Sequence, residues 1–235
     1  MLIGEDFSKI RVDLNGLILL EPNAVISDFV MGLVSFLIAR KLYEKRRAHG
    51  FIKYWYYFFL TFALGSILGA IGHGLFYYFG PQGKFPTWIS AILSTYFIEK
   101  AMIKSYECYN KNNTLGKIAF FKMIFIFLLV ITVISSAAFD RDHTIGFLPI
   151  AINTIIGVFI SVSIVGAANI KSQEGFQWLL IGVLAMLPGA VTFLMKINLF
   201  QWFDKGDLSH VFMTIGVCLY YVGIKKIDTK KAPFI

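Results

Sequence analysis

The sequence predicts an all-α integral membrane protein, a bundle of seven transmembrane helices with its N-terminus outside and its C-terminus in the cytoplasm. Three observations carry this reading. Of the 235 residues, 57% are hydrophobic and only 15% charged, against about 45–50% and about 25% in a soluble domain, so the excess apolar surface needs lipid around it. Seven apolar runs, at 20–42, 54–79, 86–106, 118–139, 144–169, 176–198 and 208–225, use nearly the whole chain, and each is long enough to cross a bilayer. Lys and Arg fall fifteen to six in favour of one set of connections, and the positive-inside rule puts that set in the cytoplasm.

Taken in order, residues 1–19 form an extracytoplasmic segment. It carries Glu5, Asp6, Lys9, Arg11 and Asp13 with no apolar stretch among its first 16 residues, so no cleavable leader is expected and the first run serves as anchor and span. The seven-helix domain covers 20–226. Its first connection holds the Arg/Lys run at 40–47, and Tyr54, Trp55, Tyr56 and Tyr57 open the second span at the inner interface, where amphipathic rings prefer to sit. Pro81-Gln82-Gly83, Asn110 to Gly116, Asp140-Arg141-Asp142, Lys171 to Gly175 and Asp204 to Asp207 punctuate the rest. Lys122 falls in the first turn of the fourth span, on the basic side. Short connections make sequential helices antiparallel neighbours. Residues 227–235 form a cytoplasmic tail. The net charge of +8 lies beside spans and not along one soluble face, so nucleic acid is not expected as a partner. Cys108 in a loop and Cys218 in a span are placed too far apart for a disulfide or a cysteine metal site. The plasma or inner membrane is the expected location.

Ionisable side chains inside a bilayer are costly and mark candidate sites. Here they are Glu21 and Asp28 in the first span, His73 in the second, Lys196 near the end of the sixth and His210 in the seventh, with Asp207 at the seventh span's mouth and Glu99 near the inner end of the third. At 1.5 Å per residue, Asp28 lies about 10 Å below the outer rim and His73 about 9 Å below Phe79, while His210 is one turn in. Glu21, Asp28, His73 and His210, from three helices, thus share the outer half. Glu21 and Asp28 stand two turns apart on one helix face. His73 sits beside Gly65, Gly69 and Gly72, a small-residue stripe of the kind that marks close helix contact.

Each residue also has a plainer reading. Asp28 with one histidine makes a hydrogen-bonded staple between helices. Glu21, before Pro22, suits a helix start, and so does Asp207 followed by Ser209. Lys196 can snorkel to headgroups, and Glu99 beside Lys100 reads as interfacial. His49 and His143 are loop residues outside any site.

The segment Glu21-Pro22-Asn23-Ala24-Val25-Ile26-Ser27-Asp28 resembles the E-x-x-N-x-x-S-N segment of the alkaline ceramidases, with Glu21, Ser27 and Asp28 at its Glu, Ser and final Asn. The run ending in His73 is similar to their G-S-x-x-F-H element. Ser209-His210-Val211 resembles the second histidine of the H-x-x-x-H element they share with the progestin and adipoQ receptors. The resemblance implies a zinc ion at the outer end of the bundle, activating water to cleave a lipid amide or ester. It makes His73 and His210 ligands, Asp28 a third ligand or catalytic base, and Glu21, Ser27 and Asp207 supporting or structural groups. Three positions depart from the family: its first span-seven histidine falls at Gly206, its span-two serine at Gly69, and its helper aspartate near Lys84. Its acidic calcium-binding segment has only Asp13 and Asn15 as counterparts.

Two functions follow. One is a metal-dependent hydrolase of membrane lipid. The other is a non-catalytic receptor, sensor or transporter-like protein that kept the fold and lost the complete site. The sequence has no nucleophile elbow, Walker loop or dinucleotide fingerprint, and no lysine within 208–224 for retinal. A bis-histidine haem site at His73 and His210 is disfavoured by its shallow, carboxylate-rich setting.

Overall fold

The computed structural model describes residues 4, 6–47, 49–105 and 113–229; Cys108 lies outside them, as do residues 230–235 of the tail. The chain is helical almost throughout, with one addition that the sequence reading lacked. Strands β1 (Arg11–Leu14) and β2 (Leu17–Leu20) pair antiparallel, Arg11 opposite Leu20 and Leu14 opposite Leu17. Their turn is Asn15-Gly16, at φ 53° and 92°, the dipeptide that best accepts the positive φ of a tight hairpin turn. Asp13 Oδ1 accepts from the Gly16 N–H at 2.8 Å.

The helices follow: α1 (Pro22–Leu42), α2 (Gly50–Gly74), short α3 (Phe76–Phe79), α4 (Phe85–Lys104), α5 (Thr114–Ile134) and short α6 (Ala137–Arg141). A composite rod comes next, made of α7 (Leu148–Thr154), a π-helical stretch Ile155–Ser161 and α8 (Val162–Asn169), then α9 (Glu174–Leu194) and α10 (Lys205–Lys226). Six of these are long and apolar enough to cross a membrane: α1, α2, α5, the rod over 145–169, α9 and α10. The remaining long helix, α4, has the length of a span, 20 residues, but carries Ser90, Ser94, Thr95, Glu99, Lys100 and Lys104. It packs against α2, α5 and the rod, which shield those polar groups.

The distribution of side chains is inside-out. On α1 the buried face includes Asp28, Gly32 and Ser35, while Phe29, Leu33 and Phe36 are exposed. On α5, Phe121, Phe125 and Leu128 are each more than half exposed. Such continuous apolar surface is not tolerated in water and is what a multi-pass membrane protein presents to lipid. The interior is packed by two clusters. The larger joins Phe51, Trp55 and Phe59 of α2 to Phe176 and Leu179 of α9 and Tyr220 of α10; the smaller joins Trp88 and Ile92 to Ile126, Val130 and Ile150.

Several boundaries and environments differ from the sequence reading. The hairpin takes residues 17–20, so the first helix starts at Pro22. Leu75, at φ −97° and ψ 18°, ends α2 at Gly74, so His73 stands in its final turn and not six residues from its end. Helix α5 starts at Thr114, which moves Lys122 into its third turn, where it bonds Glu99 of α4. Glu99 is 5% exposed, covered by neighbouring helices; a buried carboxylate holds its charge only with such a partner. Lys196, at φ 53°, pairs through its Nζ with Asp6 of the N-terminal segment at 2.8 Å.

Candidate functional site

The hairpin end of the bundle gathers most of the polar residues singled out above. Glu21 is the residue before α1, at φ 50° and ψ 55°. The hairpin register sets its place, because the pairing of Arg11 with Leu20 carries on to a hydrogen bond from Glu21 N–H to Ile10 O at 2.9 Å. That register also brings Lys9 close, and its Nζ lies 2.7 Å from Glu21 Oε1. Glu21 Oε2 lies 2.7 Å from His73 Nδ1. An ionised carboxylate can only accept, so this bond puts a proton on Nδ1 of His73; in the neutral ring that leaves the lone pair on Nε2.

Across the site, His210 in the second turn of α10 shares a 2.8 Å hydrogen bond between its Nδ1 and Ser27 Oγ. Ser27 Oγ also lies 3.4 Å from Asp207 Oδ1. Asp207 has a second task. It completes a capping box with Asp204: Asp204 Oδ1 accepts from Asp207 N–H at 3.2 Å, and Asp207 Oδ2 accepts from Asp204 N–H at 3.1 Å. This arrangement satisfies two of the free N–H groups at the start of α10 and fixes the turn that aims His210. The helix-start and site readings of Asp207 are therefore compatible.

Asp28, one residue after Ser27, is 5% exposed, and its Oδ1 lies 3.5 Å from His210 Nε2. Its other oxygen points at α2, where a Cβ added to Gly69 would fall 2.7 Å from Oδ2. Glycine at 69 is therefore what lets the carboxylate occupy the interface, one turn from His73. Gly72 plays a similar part for the next connection, since a Cβ there would fall 2.6 Å from Gly83 O. The turn Gly80–Lys84 rests on α2 at that point. It brings Lys84 into the field of Glu21 and Asp28, and burial holds its ammonium below the usual range while both carboxylates oppose the shift.

The site is thus organised as two pairs, Glu21 with His73 and Asp28 with His210. Among the described residues no three His, Cys, Asp or Glu side chains are gathered as one ligand set. The donors do fit a divalent metal in kind and, at one edge, in spacing. Both imidazoles are anchored through Nδ1 by an oxygen, the usual arrangement when Nε2 binds a metal. Zinc–nitrogen and zinc–oxygen bonds of about 2.0–2.2 Å at a tetrahedral angle put the two donor atoms about 3.4 Å apart. The 3.5 Å between His210 Nε2 and Asp28 Oδ1 matches that edge and is long for a direct N–H···O bond.

Residues 23–229 match a family of unknown function (DUF6962). The chain belongs to this family. No curated protein and no solved structure matches it. The DUF6962 match takes in Ser27, Asp28, His73, Lys84, Asp207 and His210, while Lys9 and Glu21 lie just before it. Sequence reasoning missed Lys9 and Lys84 as members of the site. The Asn15-Gly16 turn was a signal for the first, because a hairpin centred there aligns residue 10 with residue 21. Nothing local marked Lys84, whose approach depends on the contact between Gly72 and Gly83.

Above this site an open cleft is lined by Lys9, Glu21, Asn23, Trp202, Asp204 and Asp207 among others. The N-terminal segment forms its rim. Ser8 O and Oγ accept from Gln201 Nε2 at 3.2 and 3.1 Å, and Asp6 pairs with Lys196 and Lys205. Burial pushes the Asp6 carboxyl up, but the bonds from Lys196 and Lys205 outweigh it and leave the group below its usual range.

Proposed function

We propose that this protein is a seven-span, N-outside membrane protein that hydrolyses a lipid amide or ester at a zinc site in the outer half of its bundle, with His210, Asp28 and His73 as ligands. Helix α4, third in chain order, completes the seven spans, and the fifteen-to-six division of Lys and Arg sets the orientation. The resemblance to the alkaline ceramidases suggests the substrate class. The observation that carries the metal reading is the geometry at His210, anchored by Ser27 at Nδ1 and facing Asp28 across 3.5 Å at Nε2. Zinc, when bound, supplies a polarised carbonyl and a water acidic enough to ionise near neutral pH.

The chain's own groups supply the rest. Glu21 and Ser27 fix the tautomer and orientation of the two imidazoles. Asp28 serves as the carboxylate ligand or, standing off the metal, as the base that accepts a proton from water. The cleft lined by Glu21, Asn23 and Asp207 adjoins the supporting groups of the site at the end of the bundle from which a lipid headgroup would approach.

A second reading, a receptor or sensor without catalysis, is favoured by two cations. Lys9 already neutralises Glu21, and Lys84 stands where the similar family has an acid. The test is release of fatty acid from N-acyl and O-acyl lipids in mixed micelles by zinc-supplemented protein. Release that a chelator and His210→Ala both abolish is the expected result. No release from either lipid class by metal-loaded protein would leave the receptor reading in its place.

A further inference from the structure

The half of the bundle away from the hairpin holds a second polar group that the site above does not use. Glu99 of α4 is bonded by Lys122 of α5 through Oε1, while its Oε2, buried, has no partner among the described residues. The amide of Asn153 on α7, 1% exposed, has a partner among them at neither its nitrogen nor its oxygen. One turn along the same rod is Gly157, in the π-helical stretch. A Cβ there would fall 2.1 Å from Thr95 Cγ2 and 3.4 Å from Glu99 Oε1. The wide turn therefore lies directly on the Thr95–Glu99 face of α4. Single π-helical turns inside α-helices recur at functional sites.

A buried acceptor and a buried amide left without hydrogen bonds are each costly, and lipid offers neither a partner. Leucine at 153 would fill the same volume without that cost, so something in the folded protein meets these atoms. The chemistry of the gap narrows what it is. Glu99 Oε2 needs a donor, the Asn153 carbonyl needs a donor, and the Asn153 N–H groups need an acceptor. Glu99 and Lys122 already neutralise each other, so Glu99 Oε2 needs a hydrogen-bond donor and not a counter-ion. Small neutral molecules that both donate and accept, as one water or a short chain of them, satisfy all three. We infer that Glu99, Lys122, Asn153 and the π-turn at Gly157 enclose a second site, separate from the histidines, that binds ordered water between α4, α5 and the rod.

Bound water changes the sign of a substitution effect. Replacing an orphaned amide by an isosteric apolar side chain stabilises a protein, whereas replacing one that holds a water strips that water from its remaining partners. The expected result for Asn153→Leu in the full chain is a melting temperature lowered by about 3 °C or more. An unchanged or raised value overturns the inference. Wild-type protein gives an independent reading that needs no variant, by hydroxyl-radical labelling in ¹⁸O water. Ile92 and Ile150, each 1% exposed and packed in the cluster beside Asn153, should take up ¹⁸O above the level of equally buried Leu179 in the other cluster, because radicals form at the bound water. Equal, background labelling at all three also overturns it.

Discussion

The contact between Gly69 and Asp28 gives the sharpest mutational test of the site. Gly69→Ala places a methyl 2.7 Å from Asp28 Oδ2 and 3.2 Å from its Cγ. Ordinary contact begins at 3.4 Å, so the oxygen must retreat by about 0.7 Å. The atom that moves is the end of a side chain, which keeps the stability cost near the lower end of overpacking, about 1 kcal/mol, or about 2–4 °C in melting temperature for a chain of this size. The same shift spoils the edge between Asp28 and His210, so zinc affinity should fall about 10–100-fold. Gly65→Ala is the matched comparison. Its methyl would fall 2.9 Å from Ser90 Cβ, an atom that cannot swing away, and it touches no site residue. It should cost about 1–3 kcal/mol, about 2–12 °C, and leave zinc affinity unchanged. Thermal melts in detergent and zinc titration of both variants read the two effects separately. Wild-type zinc affinity in Gly69→Ala, or an equal loss in both variants, would refute the placement of Asp28 against α2.

Lys122→Met leaves Glu99 buried without its cation and should destabilise the bundle by about 3–5 kcal/mol, whereas Lys122→Met with Glu99→Leu should recover most of that loss; thermal melts of the single and double variants check it. In a chain freed of Cys108 and Cys218, a cysteine at Gln82 should react with a membrane-impermeant thiol reagent in intact cells and one at Glu44 should not, and the reverse pattern would invert the orientation. The Asp6 carboxyl is depressed by Lys196 and Lys205, so its stabilising effect is present above the ordinary Asp range near pH 4 and disappears as pH falls through its lower folded value. Being exposed, the pair should contribute less than about 1 kcal/mol, so Asp6→Asn should shift a neutral-pH melt by no more than about 4 °C and make the acid limb less steep.

The parts of the fold legible in the sequence are those fixed by solvent and local chemistry. Six apolar helices long enough for a bilayer could be read directly, because lipid imposes length and apolarity on each. Helix-start chemistry at α10 was legible in Asp207, although the cap is Asp204, three residues earlier, and the close approach at Gly69 was legible from its small-residue stripe. The hairpin had a signal in Asn15-Gly16, but the charged residues around it obscured the strands. Other features depend on how one helix is rotated against another. Hydropathy could not show that Lys122 reaches Glu99, because a four-residue shift in the start of α5 alters which turn and face Lys122 occupies. It could not show that His73 takes Glu21 while His210 takes Ser27 and Asp28, because depth alone places all of them together. The π-helical stretch at Ile155–Ser161 has no apolar period distinct from an α-helix over seven residues.

The most direct test of the proposed site is elemental analysis of protein purified without chelators and supplied with zinc, compared with His210→Ala, His73→Ala and Asp28→Asn. The site predicts one zinc per chain in the wild type. It predicts loss of that zinc in both histidine variants and reduced retention in Asp28→Asn. Folded wild-type protein that retains no stoichiometric metal would contradict it.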